Sequence, residues 1–213
     1  MDPLHARLAR VGLAVAASYG FVLAGGYAVQ AHGFLDRISD DVDLFTDITD
    51  STAFSEAVDR VAAAYRADGF TVDVALLGDV FARFAVIDET GRAAKVEMGC
   101  DWRSNPPAHL DIGPVLHPDD AVANKVTTLF GRAAPRDYLD VDAALASGRY
   151  TPDRLLELAE EHDAGFDRPY FALALQAVDR WPDREYAVYG VNEEQIAHMR
   201  ERLKEWATLI SAS

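Results

Sequence analysis

The sequence predicts an α+β fold: a small mixed β-sheet core flanked by helices, followed by a C-terminal helical region. Helix and strand patterns alternate between the N-terminus and Cys100. Three strand-like runs, FTVDVALL, FARFAVID and AAKVEMG, lie close together in this half, and the last two flank a hairpin turn, DETGR. Beyond the proline-rich segment 102–114, which we expect to be a loop, helical spacing dominates. We therefore expect two domains, residues 1–115 and 116–213.

The composition is typical of a folded protein, with 50% apolar and 26% charged residues among 213. No apolar run is long enough to cross a membrane, so the cytoplasm is the expected location. The net charge of −15 argues against a surface that coats nucleic acid, because phosphate backbones are bound by Lys and Arg. A local basic patch remains compatible with this charge.

The N-terminal segment HARLARVGLAVAAS places arginines before a short apolar run, as a signal peptide does. Leu4, Leu8, Val11 and Val15 nevertheless follow helical spacing. We favour an amphipathic helix over about residues 3–18.

The next elements follow from local signals. We expect a strand over 21–24, a short helix over 26–34 that begins at a glycine pair, and a strand over 41–45. Asp50 or Ser51 is suited to cap the following helix, whose apolar stripe includes Phe54 and Val58, and Gly69 to end it.

The second half is predicted to be helical. Pro118 suits the first turn of a helix that runs to about Gly131, and Thr151-Pro152 begins another. Asn192 and Gln195 form a capping-box pattern before the last helix. The apolar stripe of that helix favours a docking face over a cofactor site; its members are Ile196, Met199, Leu203, Trp206 and Ile210.

The pattern with most chemical meaning lies between residues 21 and 45. If Ser39, Asp41 and Asp43 alternate along a strand, they share one face, and the two carboxylates lie about 7 Å apart. Paired carboxylates suit a hard cation such as Mg²⁺. The turn at Gly25-Gly26 lets backbone N–H groups approach a phosphate. Together they predict metal-assisted attack on a nucleoside triphosphate; a tight turn beside a solvent-facing strand is the alternative.

This segment, LAGGYAVQAHGFLDRISDDVDLF, resembles the opening motif of the DNA polymerase β-like nucleotidyltransferase superfamily. That motif is a Gly-Gly or Gly-Ser turn, a spacer helix and then D-x-D on a strand. The version Arg37-x-Ser39-x-Asp41-x-Asp43 most closely resembles the AbiEii-type toxin nucleotidyltransferases.

The superfamily brings a third carboxylate from a neighbouring strand, and Glu97 is the best candidate. Alternation places Lys95 and Glu97 on one strand face. A surface salt bridge is the alternative for Glu97. Asp73 competes for the third position, and Asp88 fits the hairpin turn better.

The segment ANKVTTLFGRAAPRDYLDVDA, residues 123–143, resembles the AbiEii-type pattern of a helical lysine, a basic loop and an Arg-Asp pair. Lys125, Arg136 and Asp137 match that pattern. We expect Lys125 to face outward, toward a cleft. Asp137 either orients Lys125 or contacts the nucleotide, and the division of roles between Asp137 and Asp140 stays open.

The resemblance implies transfer of a nucleoside monophosphate from a nucleoside triphosphate, such as ATP, to a hydroxyl acceptor with two Mg²⁺ ions. It implies a nucleotidyltransferase core over 1–115 and a helical domain over 116–213 that completes the active-site cleft. The implied metal ligands are Asp41, Asp43 and Glu97; the implied catalytic residues are these three with Lys125 and Asp137; and the implied nucleotide or phosphate contacts are Gly25, Gly26, Arg37, Ser39, Lys125 and Arg136.

The resemblance further implies a toxin with a cognate antitoxin and an RNA acceptor, the 3′ end of tRNA. Within the same fold, the alternative is nucleotidylation of a small molecule such as an aminoglycoside, which the net charge of −15 would suit. From a different class comes a non-catalytic nucleotide- or partner-binding module.

Overall fold

The computed structural model describes residues 1–35, 37 and 39–212. The chain divides into two compact units. Unit 1 comprises Met1–His32 and Ser39–Pro118, and unit 2 comprises Gly33–Ile38 and Asp119–Ser213. The short segment 33–38 therefore belongs with the C-terminal helices, although it lies between elements of unit 1 in the sequence.

Unit 1 contains a mixed β-sheet, and seven strands form it within the described residues. They are β1 (Val22–Leu23), β2 (Val42–Thr46), β3 (Thr71–Leu77), β4 (Phe81–Ile87), β5 (Ala93–Cys100), β6 (Ala108–Leu110) and β7 (Gly113–Val115). Their order across the sheet is β3-β4-β5-β2-β1-β7-β6. The pairs β2–β5 and β1–β7 are parallel, and the other neighbours are antiparallel. The predicted mixed sheet is confirmed.

Strands β6 and β7 correct the expectation of a loop over residues 102–114. Val115 pairs in parallel with Leu23, and β6 folds back along β7 at the edge of the sheet. Pro114 lies within β7, and its missing N–H is tolerated in a short strand near an edge. The prolines that favoured a loop are therefore compatible with two short strands.

The helices of unit 1 are α1 (Pro3–Ala16), α2 (Gly25–Ala31) and α3 (Ser51–Ala67). Helix α1 confirms the N-terminal helix, and the Asp2 carboxylate caps it by accepting the N–H groups of Leu4 and His5. Helix α3 begins as predicted, because Asp50 accepts the N–H of Ala53. Its predicted stripe is buried.

The helices of unit 2 are α4 (Pro118–Gly131), α5 (Pro135–Ala146), α6 (Pro152–His162), α7 (Arg168–Gln176), α8 (Asp183–Ala187) and α9 (Glu193–Ala212). The predicted starts at Pro118 and Pro152 are confirmed. Asn192 and Gln195 form the predicted capping box: each side-chain oxygen accepts the other residue's N–H at 2.9 Å.

The core of unit 2 is mainly aliphatic with a few aromatic rings, and helix α9 packs onto it. Phe171 on α7 meets Trp206 on α9 edge-to-face, with ring centroids 5.2 Å apart. All five apolar residues of the predicted α9 stripe are buried, which confirms the docking face. Among the described residues, no helix combines the length and apolar character that a membrane span needs.

Candidate active site

Three carboxylates of unit 1 converge where β2 and β5 run side by side. Asp43 lies directly opposite Glu97 in the parallel register, and Asp41 precedes β2 by one residue. One carboxylate oxygen from each of Asp41, Asp43 and Glu97 lies within 4.8 Å of the other two. We call these three residues the carboxylate cluster. Convergent hard oxygen donors of this kind suit Mg²⁺ or another hard divalent cation.

The local backbone differs from the prediction that Ser39, Asp41 and Asp43 alternate on one strand. Strand β2 begins at Val42, where its pairing with β5 also begins. Strand alternation therefore explains the position of Asp43 but is wrong for Ser39 and Asp41. Both of these residues are nevertheless buried in the segment that enters β2.

Two cations, Lys95 and Arg83, contact the carboxylate cluster among the described residues. Lys95 Nζ lies 2.8 Å from Asp41 Oδ2 and 3.2 Å from Glu97 Oε1. Arg83, opposite Glu97 in the antiparallel β4–β5 register, donates its Nε–H to Glu97 Oε1 at 2.9 Å. Partial burial disfavours the charged form of Lys95, but the bonds to Asp41 and Glu97 outweigh it and raise the pKa of the ammonium. Both the functional and the salt-bridge interpretation of Glu97 are thus compatible with its contacts.

The glycine pair lies directly against this cluster. Gly25 is the first residue of α2 and has a φ of +59°, which glycine adopts readily. A Cβ atom added to Gly25 would overlap the Asp43 carboxylate. The Ala24 N–H donates to the Asp43 carbonyl oxygen at 2.9 Å, which ties the turn to β2. The close approach requires glycine at position 25, and Gly26 follows in the first turn of α2.

Unit 2 contains a second buried charge cluster, formed by Arg37, Lys125 and Asp140, which we call the Asp140 cluster. Arg37 donates Nε–H and Nη2–H to the two Asp140 carboxylate oxygens, each at 2.7 Å. Lys125 Nζ lies 3.2 Å from Asp140 Oδ2. Burial alone would raise the pKa of the Asp140 carboxyl, but the charges of Lys125 and Arg37 hold it below its usual value.

The Asp140 cluster corrects the prediction for Lys125. We expected this side chain to face outward, but the residue is buried. The physical reason is Asp140 on the next helix, which supplies a buried counter-charge. The carboxylate that lies beside Lys125 is that of Asp140.

Asp137 has a different set of partners. Its fully buried carboxylate accepts Arg132 Nη2–H at 2.6 Å and the Ala134 N–H at 2.9 Å. Asp137 therefore stabilises the turn between α4 and α5. Arg136, next to it in the first turn of α5, is half-buried.

The structure brings in residues to which the sequence assigned no role. Lys95 was placed on the face of Glu97, but its contact with Asp41 depends on the register of β5 against the residues that enter β2. The contact of Arg83 with Glu97 likewise depends on the register between β4 and β5. A predicted hairpin around DETGR was the available signal, since it would have placed Arg83 opposite Glu97.

Comparison with solved structures supports this fold assignment. MenT4, a nucleotidyltransferase toxin from Mycobacterium tuberculosis, superposes with a TM-score of 0.62 and 18% identity over 96% of this chain and 83% of that one. A candidate nucleotidyltransferase from H. pylori gives 0.63 and 18% over 99% and 96%. JHP933 from Helicobacter pylori gives 0.59 and 20% over 97% and 90%. At these identities the likeness establishes a shared fold.

Comparison at the sequence level establishes the family. A search of curated proteins gave no match. The family model described as the nucleotidyl transferase AbiEii toxin of type IV toxin–antitoxin systems matches residues 8–210. Since this match spans nearly the whole chain, including both charge clusters, the chain belongs to the AbiEii family of toxin nucleotidyltransferases.

Proposed function

We propose that this toxin is a Mg²⁺-dependent enzyme that transfers a nucleoside monophosphate from a nucleoside triphosphate to RNA in the cytoplasm. The acceptor that we propose is the hydroxyl at the 3′ end of tRNA. One observation carries the catalytic part of this proposal: carboxylate oxygens of Asp41, Asp43 and Glu97 lie within 4.8 Å of one another.

The carboxylate cluster fits Mg²⁺ by donor type and by spacing. Asp41, Asp43 and Glu97 would hold it, with two ions as in the enzymes that this sequence resembles. Bound Mg²⁺ supplies charge neutralisation for the triphosphate and activation of the acceptor hydroxyl. Glu97 would either complete the second ion site or accept the proton of that hydroxyl; its side chain is 16% exposed.

The turn before α2 would receive the triphosphate. The N-cap residue of α2 is Ala24, whose methyl side chain cannot accept a hydrogen bond, so the N–H groups of the first turn can donate to phosphate oxygens. We assign this role to Gly25 and Gly26, together with the Ser39 hydroxyl. The absence of a side chain at position 25 is what allows this turn to lie against Asp43.

The basic residues of unit 2 would act on the leaving group. We assign Lys125 and Arg37 to the charge that develops on pyrophosphate, and Arg136 to a nucleotide or phosphate contact. Asp140 would act as the positioning residue, because it fixes both cations through short contacts. Asp137 would act indirectly, because its hydrogen bonds to Arg132 and Ala134 hold the α4–α5 turn in place.

The RNA acceptor is the part of the proposal that follows from the resemblance to AbiEii-type toxins. With a net charge of −15, binding must depend on a local group of basic residues rather than on the surface as a whole. Arg132 and Arg136 flank the α4–α5 turn and are the cations that we assign to the RNA backbone. A cognate antitoxin is the expected partner of a toxin–antitoxin system.

The experiment that tests this function offers the protein each of the four α-labelled nucleoside triphosphates with Mg²⁺ and one acceptor. The acceptors are purified tRNA, tRNA with an oxidised 3′ end, and a mixture of aminoglycosides. We expect label on intact tRNA, none on oxidised tRNA and none with the Asp41→Ala variant. Label on an aminoglycoside would replace the RNA assignment with the small-molecule alternative, and no label on any acceptor would favour a binding module.

A further inference from the structure

Lys95 contacts two of the three carboxylates that would hold a metal in the carboxylate cluster. Its ammonium contacts Asp41 and Glu97 at 2.8 Å and 3.2 Å, and these are two of the three carboxylates in the cluster. Arg83 contacts Glu97. Among the contacts of the described residues, Lys95 is the side chain that bridges two members of the cluster.

The charges of the carboxylates and of the two basic side chains show why an ammonium in the cluster would oppose metal binding. The three carboxylates carry a combined charge of −3 when ionised, and Lys95 and Arg83 together return +2. A divalent cation that entered while both side chains stayed in place would meet a nearly neutral site with an ammonium against two of its ligands. An ammonium and a divalent cation cannot share the same carboxylate oxygens without strong repulsion.

The two basic side chains are similarly exposed, Arg83 at 44% and Lys95 at 38%. Their chemistry differs: Arg83 is a planar guanidinium that donates to Glu97 from the neighbouring strand, whereas Lys95 is a point charge on a flexible stem. The ammonium can therefore swing into solvent at small cost.

We propose that Lys95 is a built-in competitor for the metal: its ammonium occupies the cation position between Asp41 and Glu97 and leaves when a divalent ion binds. This inference rests on the proposed metal-dependent function and extends it to a residue that sets metal affinity. The released ammonium then becomes available to the phosphates that arrive with the metal. Free metal would bind weakly, and metal accompanied by a triphosphate or pyrophosphate would bind better.

A salt bridge with a purely structural role makes a different prediction. If Lys95 only held the strands together, its removal would change metal binding no more than removal of an equal charge nearby does through space. Arg83→Gln removes such a charge from Glu97. If Lys95 competes, Lys95→Met therefore strengthens metal binding more than Arg83→Gln does, and this difference separates the two roles.

The test measures Mn²⁺ binding by titration calorimetry and by the electron paramagnetic resonance signal of free Mn²⁺. We expect Lys95→Met to bind Mn²⁺ about 3- to 10-fold more tightly than the wild type, as expected for loss of one or two partly exposed ion pairs. Lys95→Gln, a hydrophilic neutral variant, should agree with it, and Lys95→Arg should remain near the wild type. Lys204→Met, which removes a lysine from an exposed pair with Asp179, is the matched control and should have no effect.

Affinity for Mn²⁺ that rises no more in both neutral Lys95 variants than in Arg83→Gln would overturn the inference. A second measurement tests whether the released ammonium binds phosphate. With saturating Mn²⁺, the neutral Lys95 variants should bind pyrophosphate more weakly than the wild type. Equal binding would overturn the phosphate role of Lys95. The Asp43→Asn variant distinguishes an error in the role of Lys95 from an error in the proposed metal site. If Asp43→Asn binds Mn²⁺ as the wild type does, the metal site itself is wrongly assigned; if it does not, any failure concerns Lys95 alone.

Discussion

Arg37 and Asp140, which are 103 residues apart in the sequence, form a buried bidentate ion pair with both contacts at 2.7 Å. The pair connects the segment before β2 to helix α5 and explains why residues 33–38 group with unit 2. Because Lys125 shares the same carboxylate, Asp140 compensates two buried cations at once. Loss of its charge should therefore affect stability more than loss of an ordinary surface carboxylate.

We predict that Asp140→Asn lowers the free energy of unfolding by about 3–5 kcal/mol, because two buried cations lose their counter-charge. Urea denaturation followed by circular dichroism measures this change. Asp142→Asn is the matched control: Asp142 pairs with the partly exposed Arg202, and its loss should cost about 1 kcal/mol or less. Equal effects of the two substitutions would contradict the buried compensation that we describe.

The same carboxylate predicts a dependence of stability on pH. The pKa of Asp140 is lower in the folded protein than its ordinary value of 3.8, so the unfolded chain binds its proton first as the pH falls. The stabilisation is complete above pH 3.8 and is lost as the pH falls below it, through the folded-state pKa. The difference in unfolding free energy between the wild type and Asp140→Asn should thus be constant from neutral pH to about pH 5 and should narrow in stronger acid. A difference that narrows between pH 8 and pH 6 would assign the effect to another group.

Glycine should be required at position 25 for two reasons: its backbone has a positive φ, and a side chain there would overlap the Asp43 carboxylate. Gly25→Ala places a side chain at positive φ, which costs about 1–2 kcal/mol, and it also displaces the Asp43 carboxylate. We expect loss of Mn²⁺ binding and of label transfer. Gly91→Ala is the control, because Gly91 has a φ of +83° and no atom of the described residues lies within 4 Å of an added Cβ. This variant should be less stable but should keep Mn²⁺ binding and label transfer. Mn²⁺ binding that survives in Gly25→Ala would show that the turn does not position Asp43.

RNA binding should depend on the basic residues near the α4–α5 turn. Replacing Arg136 with Gln should weaken tRNA binding at low salt and reduce the slope of log affinity against log salt by about one. Arg184→Gln removes an equally charged but highly exposed arginine on α8, which pairs with the adjacent Glu185, and should leave the slope unchanged. A common slope for the wild type and both variants would exclude Arg136 from the RNA contact.

Local signals in the sequence were sufficient for many of the elements. Asp50 before α3, Asn192 before α9 and the alternation of β4 and β5 each depend on residues within a few positions of one another, so they could be predicted directly. The glycine pair and Asp43 were also recognisable, because the strand, turn and helix that present them are contiguous.

The remaining features depend on pairing between distant segments. The proline-rich segment 102–114 contains strand residues because Val115 pairs in parallel with Leu23, which is distant in the sequence. The bridge from Lys95 to Asp41 requires the register between β5 and the residues before β2, and the burial of Lys125 requires Asp140 on another helix. Neither the register nor the helix packing can be derived from the spacing of residues along one segment.

The most direct measurement of the central claim compares transfer of α-labelled nucleotide to tRNA in Mg²⁺ by the wild type, Asp43→Asn and Asp73→Asn. Asp43 belongs to the carboxylate cluster, whereas Asp73 is an exposed carboxylate on β3. The amide preserves side-chain volume in both variants and removes the charge. We predict that Asp43→Asn loses transfer by about 100-fold or more and keeps its fold, while Asp73→Asn transfers label at the wild-type rate. Full transfer by a folded Asp43→Asn variant would contradict the assignment of this cluster as the catalytic centre.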